Sequence, residues 1–261
     1  MDNSAAADPE ISQSAVPGVG FHYGAGVIDD QEVNGHGEFT IAVVLPPFPP
    51  HSRGNPAGFA PHDPARALAF AESFPTIEAV LEERPETDTA PASPQTRADL
   101  DLVTVGCWGS VIGISDPALA GDSFDNTLWD VTSALAERHP EARIIGSASI
   151  DRGENHSETA IHLPGGLKLY TEGWPGPDQF SIEGDPHAIA RAVGVSAEAL
   201  AAAYIDLDDK PWTVSWEHFG RQLLDPLDPW GYRDLRMSEF RVRRTEDAAL
   251  HLDEIWLTTI G

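Results

Sequence analysis

From Phe39 to Leu45 the chain reads FTIAVVL, an apolar, β-branched run closed by Pro46 and Pro47, and it predicts a strand. The proline-dense stretch that follows, PPFPPHSRGNPAGFAPHDP, cannot continue a ladder because proline has no N–H to donate. Asp63 and Pro64 form an N-cap and first-turn pair, so ARALAFAESF is expected to be helical as far as Pro75. Thr76 then caps a second short helix with Ile77, Val80 and Leu81 on one face. Residues 85–98, PETDTAPASPQTRA, have no apolar periodicity and are expected to form a flexible loop.

Two β-rich runs in LDLVTVGCWGSVIGIS flank Cys107-Trp108-Gly109-Ser110 and predict a hairpin. Between Phe124 and His139 the apolar residues Leu128, Val131 and Leu135 share one helical face, and Pro140 ends the pattern. Arg143 to Ile150, Thr159 to Leu163 and Leu167 to Thr171 follow as strands of an antiparallel meander, the last two joined by Pro-Gly-Gly. Phe180-Ser181-Ile182 is a further short strand. Asp185-Pro186 opens a helix through Val193, Ser196 caps another through Tyr204, and a third spans Ser215 to Leu224. FRVRRT and IWLTTI read as a closing β-hairpin. This segregation predicts an α+β fold, mainly antiparallel sheet with helices packed on one side, a helical segment and a final β-hairpin at the C-terminus. Residues 1–17, small, polar and aperiodic, are expected to be a disordered tail. Residues 18–261 are expected to form one α+β domain, with sub-lobes 36–183 and 184–261.

Composition narrows the function classes. The chain has 261 residues, and 42 acids against 16 bases give a net charge of −26. Seven Trp, ten Phe and 41% apolar residues are enough to fill a core. No apolar stretch has the length of a membrane helix, and MDNSAAADPE lacks the features of a secretory leader, so a cytoplasmic protein is expected. Residues 1–52 contain seven acids and no Lys or Arg, and such a surface repels phosphate. AIARAVGVSAEALAAA has the rhythm of a helix-turn-helix, yet its second helix contains Glu198 and no base, so nucleic acid is not an expected partner.

Candidate chemistry concentrates in NHSETAIHLPGG. In an extended segment His156, Glu158 and His162 point to one face, but His156 and His162 are then roughly 20 Å apart. Only His156 with Glu158 can share an acid/base role or a metal ion. His36 and Glu38 repeat the spacing at the start of the first strand, and the two dyads together are a candidate site. No cofactor is evident, although a divalent metal held by His156, Glu158 and His36 is an option, open beside the reading that these residues line a solvated sheet face. The single cysteine, Cys107, ends a predicted strand and is a candidate nucleophile, but no G-x-S-x-G elbow accompanies it, and lone cysteines are usually core residues.

Five of the 14 arginines fall between Arg233 and Arg244. In an extended strand Arg241 and Arg243 share a face and are able to fork onto an anion, or else to neutralise the protein's own acids. Trp174, Trp230 and Tyr232 sit in turn-rich loops, where they anchor a partner, floor a pocket or cap the core.

The motif order HGEFT, VVLPPFP, HDPARA, VGCWGSVIGISDPAL, ERHPEARIIGS, GWPG, GDPHAIARAVGVSAEAL and FRVRRTED resembles an uncharacterised actinobacterial protein family of the Streptomyces type, over about residues 36 to 258. The resemblance implies a bacterial, cytoplasmic setting and carries over no catalytic or binding residue. Three functions stay open. The first is an acidic binding or accessory protein, immunity-type or regulatory, engaging a basic protein. The second is a small-molecule enzyme using the His/Glu groups, with Arg241 and Arg243 clamping an anionic small molecule. The third is a DNA mimic.

Overall fold

The run FTIAVVL lies within strand β1 (His36–Val44). In the computed structural model, which describes residues 29–49, 58–89, 93–121, 127–232 and 234–258, the other strands are β2 (Ile77–Asp88), β3 (Leu102–Trp108), β4 (Val111–Ser115), β5 (Arg143–Asp151), β6 (Asn155–His162), β7 (Lys168–Gly173), β8 (Phe180–Gly184) and β9 (Arg236–Arg244). They form one antiparallel nine-stranded sheet in the order β2-β9-β3-β4-β1-β5-β6-β7-β8. The helices are α1 (Pro64–Glu72), α2 (Thr127–Arg138), α3 (Pro186–Val193), α4 (Ala197–Ala202), α5 (Trp216–Leu224) and α6 (Glu246–Leu252). The expected α+β class is the observed one. The tail at 1–17 and the region of the 85–98 loop at 90–92 lie outside the described residues.

The helices do not pack on one side. Phe39, Ile41 and Val43 of β1 join a core with α1, α2 and α6. Ala42 and Val44 join a second core with α3, α4 and α5 on the opposite face. The reason is in the run itself: a strand buried on both faces is apolar continuously rather than alternately, as FTIAVVL is. Helices approach β5 closely, since a Cβ on Gly146 would lie 2.8 Å from Leu128 Cδ1 of α2, and one on Gly220 of α5 would lie 2.8 Å from Ile145 Cγ2.

The caps behave as the local sequence requires. Asp63 accepts from the Arg66 amide at 3.1 Å, Asp185 from Ala188 at 3.0 Å and Ser196 from Ala199 at 3.2 Å. Two elements differ from expectation. The helix expected after Thr76 is instead the edge strand β2, because pairing with β9 outweighs local propensity: Glu78 meets Arg243, Glu82 meets Arg241 and Arg84 meets Glu239 across the ladder. This strand also takes residues 85–88 out of the expected loop. No closing hairpin forms among the described residues, because Thr245 caps α6 and the chain continues helically through Asp253–Leu257. Helical spacing there buries Leu252, Ile255 and Trp256 together, and Trp256 packs edge-on against Phe39 at 5.7 Å.

The ion pair of Arg244 with Asp116 is fully internal. Arg244 Nη1 lies 2.7 Å from Asp116 Oδ1, while Thr76 Oγ1 donates to the other carboxylate oxygen at 2.5 Å and Arg244 Nε donates to Leu100 O at 3.1 Å. It joins the end of β9 to the segment after β4.

Candidate functional site

Strand register decides which candidate residues meet. Gly37, Ile150 and His156 stand in one cross-strand row, and Phe39, Ala148, Glu158 and Glu172 in another. Side chains alternate along a strand, so His156 and Glu158 share the face of Phe39, whereas His36 and Glu38 lie on the other face with Ser149 and Asp151. The sheet separates the two dyads, and the joint site is not formed. His36 is exposed and 3.8 Å from Asp151. Glu38 lines a different pocket, of about 260 Å³, with Thr40, Ser149, Ser157 and Trp212.

His156 and Glu158 do come together, buried, with His156 Nδ1 3.8 Å from Glu158 Oε1. The hairpin turn at Gly165-Gly166 pairs His162 with Lys168, and this register sets Glu172 directly across from Glu158. Like charges placed opposite each other repel. Tyr170, next on the same face, bridges them: its hydroxyl is 2.9 Å from Glu158 Oε2 and 3.2 Å from Glu172 Oε2. A phenol carries one proton and donates it to one oxygen at a time, so the two carboxylates compete for it. Burial, then the Glu158 and Glu172 charges, push the Tyr170 phenol far above its ordinary range.

The cluster has an apolar back and an open mouth. Trp129 of α2 packs against Tyr170 at 5.2 Å and His162 at 4.7 Å. Burial, and then the Lys168 charge, hold His162 near pKa 4, so this imidazole is neutral at neutral pH and contacts Thr132 Oγ1 at 3.2 Å. At the other end Trp174 packs on His156 at 4.6 Å, and both line a cavity of about 530 Å³ with Arg152, Glu154 and Gln179. The cavity can take a polar molecule against His156 and Trp174, with Glu158, Tyr170 and Glu172 lying behind His156 rather than in its wall.

The other candidates are placed elsewhere. Cys107 is fully buried, and burial raises its thiol to about 11, which leaves little thiolate at neutral pH. His62 takes the Cys107 backbone N–H on Nδ1 at 3.2 Å, which leaves Nε2 to donate to Ser238 Oγ at 3.1 Å. Arg243 Nε lies 2.8 Å from Glu78 and Arg241 Nε 3.9 Å from Glu82. Trp230 lies over Gly113, and Tyr232 packs on Phe59 at 5.1 Å. Among the described residues His, Cys, Asp and Glu nowhere gather in threes able to hold a metal ion, so His156, Glu158 and His36 do not assemble as ligands.

The family model of a family of unknown function, DUF6333, matches residues 24–259. The chain belongs to that family. The match spans the whole His156 cluster and both cores of the DUF6333 protein. No curated protein and no solved structure matches the chain. Among its described residues no helix is long and apolar enough to cross a membrane.

Tyr170 and Glu172 were not legible as site residues from spacing alone. The signal was present in LPGGLKLYTEG: a hairpin closed at the glycines fixes the register that brings Glu172 opposite Glu158.

Proposed function

We propose that this DUF6333 protein binds a small molecule at the mouth formed by His156 and Trp174, and that Glu158, Tyr170 and Glu172 act on it as an acid–base set. The observation that carries this reading is the buried Tyr170 hydroxyl within hydrogen-bond reach of two carboxylates, 2.9 and 3.2 Å away. Groups that compete for a proton inside a water-poor site are poised to pass one to a substrate. The Arg241/Arg243 pair, facing its own glutamates, contributes no anion clamp to this reading, and the preferred ligand is neutral or cationic. The setting that goes with it is a bacterial cytoplasm of the actinobacterial kind.

The test is native mass spectrometry of the protein after incubation with a cellular metabolite extract. A retained small molecule in the wild type, lost from Trp174→Ala and from His156→Ala, is the expected result. A bare polypeptide mass, or a ligand indifferent to both substitutions, overturns the reading.

A second reading, engagement of a basic macromolecular partner by an immunity-type or regulatory protein, is supported by the α4 end of the molecule. Tyr204 is 96% exposed there, with a left-handed φ of 59°, over a groove lined by Leu200, Ile205, Asp206 and Asp208. An arginine-rich peptide should then bind the wild type with strong salt dependence and lose affinity in Tyr204→Ala combined with Asp206→Asn. Equal binding by both proteins removes this reading.

A further inference from the structure

The face of β6 that turns away from Glu158 carries a second pocket with a chemistry of its own. Along β1 the residues on that face run His36, Glu38, Thr40, then Ala42 and Val44. β5 runs Ile145, then Ser147, Ser149 and Asp151, and β6 runs Ser157, Thr159, then Ile161. Each strand is therefore polar over one half and apolar over the other. Helix α5 packs on the apolar half, with Gly220 against Ile145. The polar half is left open beneath the start of α5, where Trp212 and Trp216 form a wall of the pocket of about 260 Å³.

The hydroxyls in this pocket are under-used. Ser147 and Thr159 approach each other at 3.4 Å. Thr40, Ser149, Ser157 and the Glu38 carboxylate, all described residues, make no side-chain hydrogen bond or ion pair with any other described group. These donors and acceptors stand side by side in an open pocket, where water satisfies them and a polar ligand can replace that water. Trp216 is fixed in place by its indole N–H, which donates to Pro211 O at 2.8 Å. The nearby Glu217 is 3.8 Å from Arg221, so Glu38 is the carboxylate with no cation beside it.

We infer that this pocket binds a neutral polyhydroxylated molecule the size of one sugar ring. A carboxylate accepts hydrogen bonds from two neighbouring hydroxyls at once, Ser and Thr hydroxyls both donate and accept, and an indole covers the C–H face of a ring. The pocket is smaller than the roughly 300–1,000 Å³ of sites for drug-sized ligands, which sets the upper bound of a single ring. Its carboxylates disfavour phosphorylated or otherwise anionic sugars. The site is distinct from the His156 cluster, since the backbone of β6 stands between them.

Saturation-transfer NMR and calorimetry with glucose, galactose, mannose, ribose and myo-inositol test the inference, with glucose 6-phosphate and spermidine as charged counterparts. At least one neutral polyol should bind saturably in the millimolar range or tighter, and more tightly than either charged probe. Glu38→Gln and Trp212→Ala should each weaken it roughly tenfold, the loss of one charge-assisted contact or one stacking surface. Both positions lie outside the two cores, so folding is preserved, and a normal urea midpoint confirms it. His156→Ala should leave polyol binding unchanged, which keeps a failure here separate from a failure at the acid–base cluster. Failure of every polyol, preference for spermidine, or binding indifferent to both substitutions overturns the inference.

Discussion

The two faces of strand β6 (Asn155–His162) differ by a one-residue step and behave as different materials. One face presents His156, Glu158 and His162, buried and engaged with Tyr170, Trp174, Trp129 and Thr132. The other presents Ser157 and Thr159 to an open pocket. His156 and Glu158 are as buried as Thr159, and only Ser157 is half-exposed, so the first face holds ionisable groups where water is scarce, the reverse of what solvation alone would favour. The difference lies in the cover: α2 lies over the first face, whereas α5 covers only the apolar half of the second. Burying ionisable groups this way is costly unless they satisfy one another, which on the first face falls to the Tyr170 hydroxyl between Glu158 and Glu172.

The largest expected effect that separates the faces is a pH dependence. His162 has a folded pKa of about 4 against an ordinary 6.5, held down by burial and then by Lys168. The unfolded chain takes up a proton near 6.5 that the fold refuses until about 4, so this contribution is complete above 6.5 and is lost as pH falls through that window. About 3 kcal/mol of stability should disappear between those limits, and His162→Gln should flatten that part of a urea-midpoint profile. An unchanged slope in the variant would assign the loss to other groups.

Next in size, Tyr170→Phe removes the hydroxyl between Glu158 and Glu172 and should cost about 1–3 kcal/mol in chemical denaturation. A neutral result would mean that water replaces the phenol and that the cluster is wetter than its burial implies. Glycine substitutions compare the two covers directly. Gly146→Ala drives a methyl to 2.8 Å from Leu128 on the α2 side, for about 1–3 kcal/mol. Gly220→Ala meets Ile145 at the same distance but recovers about 1 kcal/mol of helix propensity, and so should cost less. Ser157→Ala, on the open face, should shift stability by no more than about 0.5 kcal/mol. A large loss there would show that its hydroxyl is part of the fold rather than of a binding surface.

Much of this architecture is written locally. Asp63-Pro64, Asp185-Pro186 and Ser196 cap the helices they announce, and the pairing of His156 with Glu158 follows from period-two spacing. What was not legible depends on partners distant in sequence. Thr76 and Ile77 have a helix-like start, but Glu78 and Glu82 are claimed by arginines some 160 residues later. IWL reads as a strand until α6, capped by Thr245, carries its helical phase into it. The separation of His36 and Glu38 from His156 and Glu158 needs the register of three strands, which no single segment contains. Tyr170 and Glu172 needed only one hairpin, and are the part of the cluster that closer reading of turn geometry would have supplied.

The position of β9 between β2 and β3 has a consequence for synthesis on the ribosome. Until Arg236–Arg244 leaves the exit tunnel, β2 has no strand to pair with, β3 presents a bare edge, and Asp116 awaits the guanidinium of Arg244. The meander β5 to β8 can zip as it emerges, because each strand pairs with the one just made. The nascent chain therefore carries an unpaired ladder edge on β3 until Arg236–Arg244 is made, and β2, synthesised some 150 residues earlier, waits on that strand for its only place in the sheet.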